Sequence, residues 1–251
     1  MLEISMELLF FLFSVAILAG FLDTLAGGGG LIVLPALIMS GIPPLAALGT
    51  NKLQGTIGTA TATLLMLRGR RIRWRNIKQL MLAAFIGAAV GSVLVQFIDT
   101  AVLSFIIPVV LFAIAMYFIL APTPLETKQK PKYSIKTYRN LVVPTIGCYD
   151  GMFGPGTGSF FALAGISFRG HTILSSTAEA KALNFSTNIA SLAIFATLGQ
   201  LVWSVGLVMM LGQFIGSWLG SHYLFRINPR HLRFLIVFMC LAMLVKYIES
   251  M

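Results

Sequence analysis

Four ionisable residues, Asp23, Lys52, Asp150 and Lys181, sit in stretches that are otherwise almost wholly apolar. A lysine at such a position costs about 2.5–3.5 kcal/mol on membrane-insertion scales, so it needs a counter-charge or a polar cavity. Two ammonium groups in one cavity would neutralise a small anion. Snorkelling to the interface is the alternative, since both lysines lie near the start of an apolar run. The neighbours argue for the cavity. Lys52, Thr56, Thr59 and Thr63 recur at intervals of three or four, as do Lys181, Asn184, Asn188 and Ser191, which puts each set on one helical face. Asn51 and Gln54 add hydrogen-bonding groups beside the first stripe. A polar stripe on an apolar helix is expected to face the protein interior. Asp23 and Asp150 could carry a coupling proton. The preferred expectation is structural: counter-ions for the lysines, or acceptors for broken backbone.

Glycine runs precede both stripes. Gly27 to Gly30 lead into LIVLPALIM, and Gly154-Pro155-Gly156-Thr157-Gly158 lead into SFFALAG. A helix that starts there directs backbone N–H groups and partial positive charge into the break, which suits an anion. Glycine lets a ligand approach the backbone closely. Gly28, Gly29, Gly30, Gly156, Thr157 and Gly158 are therefore candidate contacts. One such run alone would be read as a turn or a packing seam. Two at matched positions are the pattern of a transporter built from repeats. The match extends further: FIGAAVGS at 85–92 returns as FIGSWLGS at 214–221. Asp23 and Asp150 are 127 residues apart, while Lys52 to Lys181 and Gly87 to Gly216 are 129 apart.

The elements that must hold these residues are membrane helices. The chain is 57% hydrophobic and 10% charged, with a mean hydropathy of +0.90. A soluble domain carries about 25% charged residues. Apolar runs at 47–67, 79–98, 101–121, 182–198, 204–225 and 231–245 have the length that spans roughly 30 Å of hydrocarbon. Regions 5–45 and 140–170 each hold two shorter pieces, 8–22 with 31–40 and 140–149 with 159–168. Each pair is expected to form a hairpin whose bend lies within the membrane, against protein or a water-filled cavity. With Glu3 and Glu7 in place of a basic start, the first apolar run is expected to be retained and not cleaved.

The net charge is +10, and 14 of the 18 Lys and Arg residues fall in 68–78, 121–139 and 226–233. Basic loops stay in the cytoplasm, so this is a topology signal and not a nucleic-acid site. Connections 98–101 and 199–204 then face outside, as does the C-terminus. The hairpins start on opposite sides. The expected fold class is an all-α polytopic membrane protein of two inverted repeats, each a glycine-broken helical hairpin followed by three transmembrane helices. Residues 1–120 form the first repeat, 121–139 a cytoplasmic linker and 140–251 the second repeat. Cys148 and Cys240, with no metal-type spacing, are expected to be packing residues. His171, His222 and His231 are scattered, and Trp74, Trp203 and Trp218 suit interface anchors or packing. Ser176-x-x-Glu179 fits a capping box at the start of the Lys181 helix.

The strings GFLDTLAGGGGLIVLPAL, TNKLQ, YDGMFGPGTGSF, AKALNFSTN and GQFIGSWLGS resemble the TauE/SafE family, the sulfite-exporter-like membrane proteins, from about residue 16 to 245. The resemblance implies a transporter of small sulfur-containing anions, such as sulfite or sulfonates, in the bacterial inner membrane. It places the family's glycine-rich segments at Gly27–Gly30 and Gly154–Gly158 and its basic positions at Lys52 and Lys181. The expected function is secondary transport or export of such an anion by alternating access, with no cofactor, no metal and no nucleic acid. The partners are the substrate and the lipid bilayer. A passive anion channel and an intramembrane hydrolase using Asp23 and Asp150 are the alternatives.

Overall fold

A computed structural model describes residues 5–120 and 130–223. The run 231–245, loop 226–233, the C-terminus and Cys240 lie outside the described residues, as does most of 121–139. Among the described residues every regular element is helical. In chain order they are α1 (Met6–Ala26), α2 (Gly30–Met39), α3 (Pro44–Arg68), α4 (Trp74–Leu94), α5 (Thr100–Leu120), α6 (Ile135–Thr137), α7 (Val143–Met152), α8 (Thr157–Arg169), α9 (Ile173–Thr197) and α10 (Trp203–Tyr223). A π-helical turn, Tyr138–Val142, joins α6 to α7.

The ends of these helices follow from local chemistry. Ser5 caps α1 by accepting from the Leu8 N–H, and Gly27 ends it at φ 76°. Pro43 and Pro44 open α3, where missing N–H groups are harmless. Gly170, at φ 65°, closes α8. The start of α9 departs from the sequence expectation. Its cap is Thr172, which accepts from the Ser175 N–H at 3.3 Å. Ser176 instead lies inside the helix and donates to the Ala162 carbonyl at 2.6 Å. The hydroxyl four residues upstream of the expected cap takes the role, and Ser176 is drawn to a neighbouring helix.

Among the described residues three helical stretches are long and apolar enough to cross a membrane: Met6–Leu25, Trp74–Phe97 and Trp203–Tyr223. Their outer faces carry exposed large side chains, among them Phe10 at 73% and Leu211 at 64%. The hairpins are unequal. With 21 residues, α1 is about 31 Å long and can cross alone, whereas α2 at 10 residues is about 15 Å. The piece expected at 8–22 is thus longer than its apolar run, because Asp23 and Thr24 continue the helix buried. The two longest of the described helices, α3 and α9 at 25 residues each, fall outside this apolar set because their polar stripes lower their hydropathy, and most of those polar residues are buried.

Outer and inner helices meet through glycine seams. A Cβ on Gly216 of α10 would lie 2.0 Å from the Ile17 carbonyl oxygen of α1, and one on Gly220 2.8 Å from that of Phe21. Likewise a Cβ on Gly87 of α4 would lie 2.2 Å from the Pro144 oxygen of α7, and one on Gly91 2.0 Å from that of Cys148. Small residues let backbones approach where lipid gives no hydrophobic drive. The second FIG motif therefore packs on the first hairpin, and the first motif on the second. Between these layers α3 and α9 run against each other, linked by Asn188 Nδ2 donating to Thr59 Oγ1 at 3.4 Å.

The two ends of the bundle differ in charge. At one end Arg139 bonds Gln79 at 2.7 Å and Arg169 bonds the Tyr133 carbonyl at 2.6 Å, which gathers segments 68–79, 130–139 and 169–175. At the other, the Val202 N–H donates to Thr50 Oγ1 at 3.1 Å, which holds the uncharged 199–203 turn against the start of α3.

Candidate functional site

The site is assembled where both helix breaks meet. In the first, Gly27 donates to the Asp23 carbonyl at 2.6 Å, and the Asp23 carboxylate accepts from the Gly29 N–H at 3.3 Å. One donor of the first bend is thus engaged by the chain's own anion. The second bend runs through Gly154 at φ 94° and Gly156 at φ 75°. Thr157 Oγ1 donates to the Gly154 carbonyl at 2.8 Å, and the Tyr149 hydroxyl to the Pro155 carbonyl at 2.7 Å. The bends touch. A Cβ on Gly27 would fall 2.4 Å from the Ser159 nitrogen, and one on Gly158 2.7 Å from the Gly27 Cα.

Each lysine reaches into the other half of the chain. Lys52 Nζ, on α3, stands 2.9 Å from Asp150 Oδ1 and also donates to the Asp150 backbone carbonyl. Lys181 Nζ, on α9, stands 3.7 Å from Asp23 Oδ2 and donates to the Asp23 carbonyl. Both lysines are 1% exposed. Asp23 and Asp150 occupy the last turns of α1 and α7, where carbonyls lack helical partners and the dipole is negative. So each ammonium neutralises a carboxylate and also caps a broken helix. The four charges sum to zero, and the two pairs differ in closeness.

Beside them lies a cavity of about 30 Å³, lined by Asp23, Gly29, Gly30, Asn51, Lys52, Gln54, Gly55, Thr59, Asp150, Gly154, Asn184, Asn188 and Gln213. That is room for about one water molecule. Gln54 Oε1, Gln213 Oε1 and Asp150 Oδ2 are buried acceptors without a hydrogen-bond partner. Gln54 Nε2 donates to Asn51 Oδ1 at 3.0 Å.

Of the residues singled out from sequence, Asp23, Gly29, Gly30, Asn51, Lys52, Gln54, Thr59, Asp150, Gly154, Asn184 and Asn188 line this cavity. Gly28, Gly156, Thr157, Gly158 and Lys181 stand outside its lining. Lys181 nonetheless adjoins it through Asp23, and its Nζ would be 3.5 Å from a Cβ on Gly158. Gln213 was missed. The position 129 residues before it is Ala84, so the duplication did not single it out. A buried glutamine on an apolar helix was the available signal.

Comparison with known proteins bears on what such a site serves. The family described as sulfite exporter TauE/SafE matches residues 12–247. A probable membrane transporter protein of Haemophilus influenzae is 41% identical over 98% of this chain and 96% of its own length. Another from Sinorhizobium, ORF9, is 40% identical over 99% of this chain and 95% of its own. The Escherichia coli probable membrane transporter protein YfcA is 38% identical over 97% of this chain and 90% of its own. No solved structure matches the chain.

Proposed function

Since the chain belongs to the sulfite exporter TauE/SafE family of membrane transporters, we propose that it carries a small sulfur-containing anion, such as sulfite or a sulfonate, across the bacterial inner membrane by alternating access. The observation that carries this reading is the pair of reciprocal bonds, Lys52 to Asp150 and Lys181 to Asp23, beside a cavity rich in carboxamides. The substrate's oxygens take over the ammonium groups from the aspartates, and Asn51, Asn184, Asn188 and Gln213 supply further hydrogen bonds.

In this reading residues 1–120 and 140–251 are repeats of opposite orientation, joined by a cytoplasmic 121–139, with loops 68–78 and 226–233 on the same side. The exchange of glycine seams between halves and the gathering of basic segments at one end support it. A cavity of about 30 Å³ is too small for a sulfonate, so the lining must part to load one. That favours a carrier over a standing channel. The separate lysine held by each aspartate favours counter-ions over a hydrolytic pair. Driven by the membrane potential, an exported monoanion gains about 2.3 kcal/mol per 100 mV.

The test is counterflow in proteoliposomes with labelled sulfite, sulfoacetate and taurine. Saturable uptake that is accelerated by unlabelled anion on the opposite side supports the carrier. Flux that is unsaturable and indifferent to trans anion refutes it.

A further inference from the structure

A second polar cavity, larger than the first, opens at the basic end of the bundle. It measures about 430 Å³ and is lined by Arg70, Arg71 and Arg73 from the α3–α4 turn and by His171, Ser175 and Glu179 around the start of α9, among others. We propose that it binds the phosphate group of an anionic phospholipid headgroup. This inference does not depend on what the protein transports.

The chemistry of the lining points to phosphate. Guanidinium groups offer planar pairs of donors that match phosphate oxygens two at a time. The α9 helix opens at Thr172, so its positive end is directed at the same space. Glu179 is the one acid among the lining residues. It precedes the apolar stretch 182–198, and burial pushes its carboxyl up to about 7 against the opposing pull of Arg169. At neutral pH it therefore subtracts only part of a charge from the cluster. The backbone agrees: Arg70 sits at φ 54°, the one non-glycine residue with positive φ among those described. That conformation costs about 1–2 kcal/mol, and it falls at a residue of the cavity lining.

Size and surroundings point to a lipid as the phosphate's source. The space exceeds what a compact oxyanion fills. Trp74, 57% exposed, follows Arg73 directly, and Leu174, 40% exposed, precedes Ser175. An exposed tryptophan next to arginines suits the headgroup level of a bilayer, and basic pockets between membrane helices take up anionic headgroups. Acyl chains would lie along these two apolar side chains. Because the lining comes from the α3–α4 turn, the start of α4 and the start of α9, a bound headgroup would tie that turn to the helix that carries Lys181.

Native mass spectrometry and thermal unfolding of the detergent-solubilised full-length protein test this, with phosphatidylglycerol, cardiolipin, phosphatidylcholine, glycerol phosphate and inorganic phosphate as probes. Phosphatidylglycerol and cardiolipin should be retained and should raise Tm, with no rise from phosphatidylcholine. Arg70→Gln with Arg73→Gln should weaken this by roughly tenfold or more, while Arg68→Gln with Arg75→Gln, equal in charge but outside the lining, should leave it intact. Ser175→Glu gives a second route to the same loss without touching the arginines. The proposal is overturned if both double variants weaken binding equally, since the attraction is then diffuse. It is also overturned if inorganic phosphate or glycerol phosphate matches the lipids, since the site then takes a soluble anion.

Discussion

At the scale of single residues, the strongest commitment is the reciprocity of the two buried ion pairs. Removing one partner of such a pair leaves an uncompensated charge and costs about 3–5 kcal/mol, whereas removing both costs far less. Lys52→Met should therefore lower the unfolding temperature sharply, and Lys52→Met with Asp150→Leu should recover most of the loss. Combining Lys52→Met with Asp23→Leu should show no such recovery, because Asp23 answers to Lys181. Thermal unfolding of the purified variants in detergent decides between these outcomes. The four charged residues were legible in the sequence from their apolar surroundings. Which lysine meets which aspartate was not, because the pairs join residues 98 and 158 positions apart and spacing on one helix carries no such information. Gln213 shows the same limit from another side. A search for duplicated features passes over a polar residue whose counterpart is alanine.

Among the elements, the glycine contacts separate two reasons for glycine. Gly199, at φ 69°, has nothing within 4 Å of a Cβ, so alanine there costs only backbone strain, about 1–2 kcal/mol. Gly27, at φ 76°, faces the backbone of Ser159 and Gly158, and alanine adds a steric cost of about 1–3 kcal/mol to that strain. Gly216→Ala, with the Ile17 oxygen in its path, should part α10 from α1 by a similar amount. Ranked by unfolding temperature, Gly199→Ala should be the mildest of the three, and equal losses at Gly27 and Gly199 would refute contact between the bends. The breaks at 27–30 and 153–156 were visible as glycine runs. The length of α1 was not, because helix geometry continues through Asp23 and Thr24 once their polar atoms are buried. The start of α9 was misjudged because Thr172 and Ser176 are four residues apart and both precede an apolar run. Only tertiary contact with Ala162 distinguishes them.

For the whole molecule, the basic segments at one end and the uncharged turn at the other predict sidedness. In a Cys148→Ser, Cys240→Ser background, a cysteine replacing Arg75 should be blocked only by a thiol reagent reaching the cytoplasm. One replacing Gln200 should react with an impermeant maleimide on intact cells. Labelling of both from one side would refute the orientation. Composition was enough to foresee helices and a membrane, because each is set by averages over many residues. The small volume of the cavity between the bends, about 30 Å³, was not foreseen, since volume depends on how α3, α9 and both bends pack. The most direct test of the central claim is counterflow of labelled sulfite in proteoliposomes bearing Lys52→Ala or Lys181→Ala, beside wild type and Lys78→Ala, a surface lysine. The account predicts loss of at least about tenfold in both buried-lysine variants, with wild type and Lys78→Ala alike. Unchanged counterflow in folded Lys52→Ala and Lys181→Ala would contradict it.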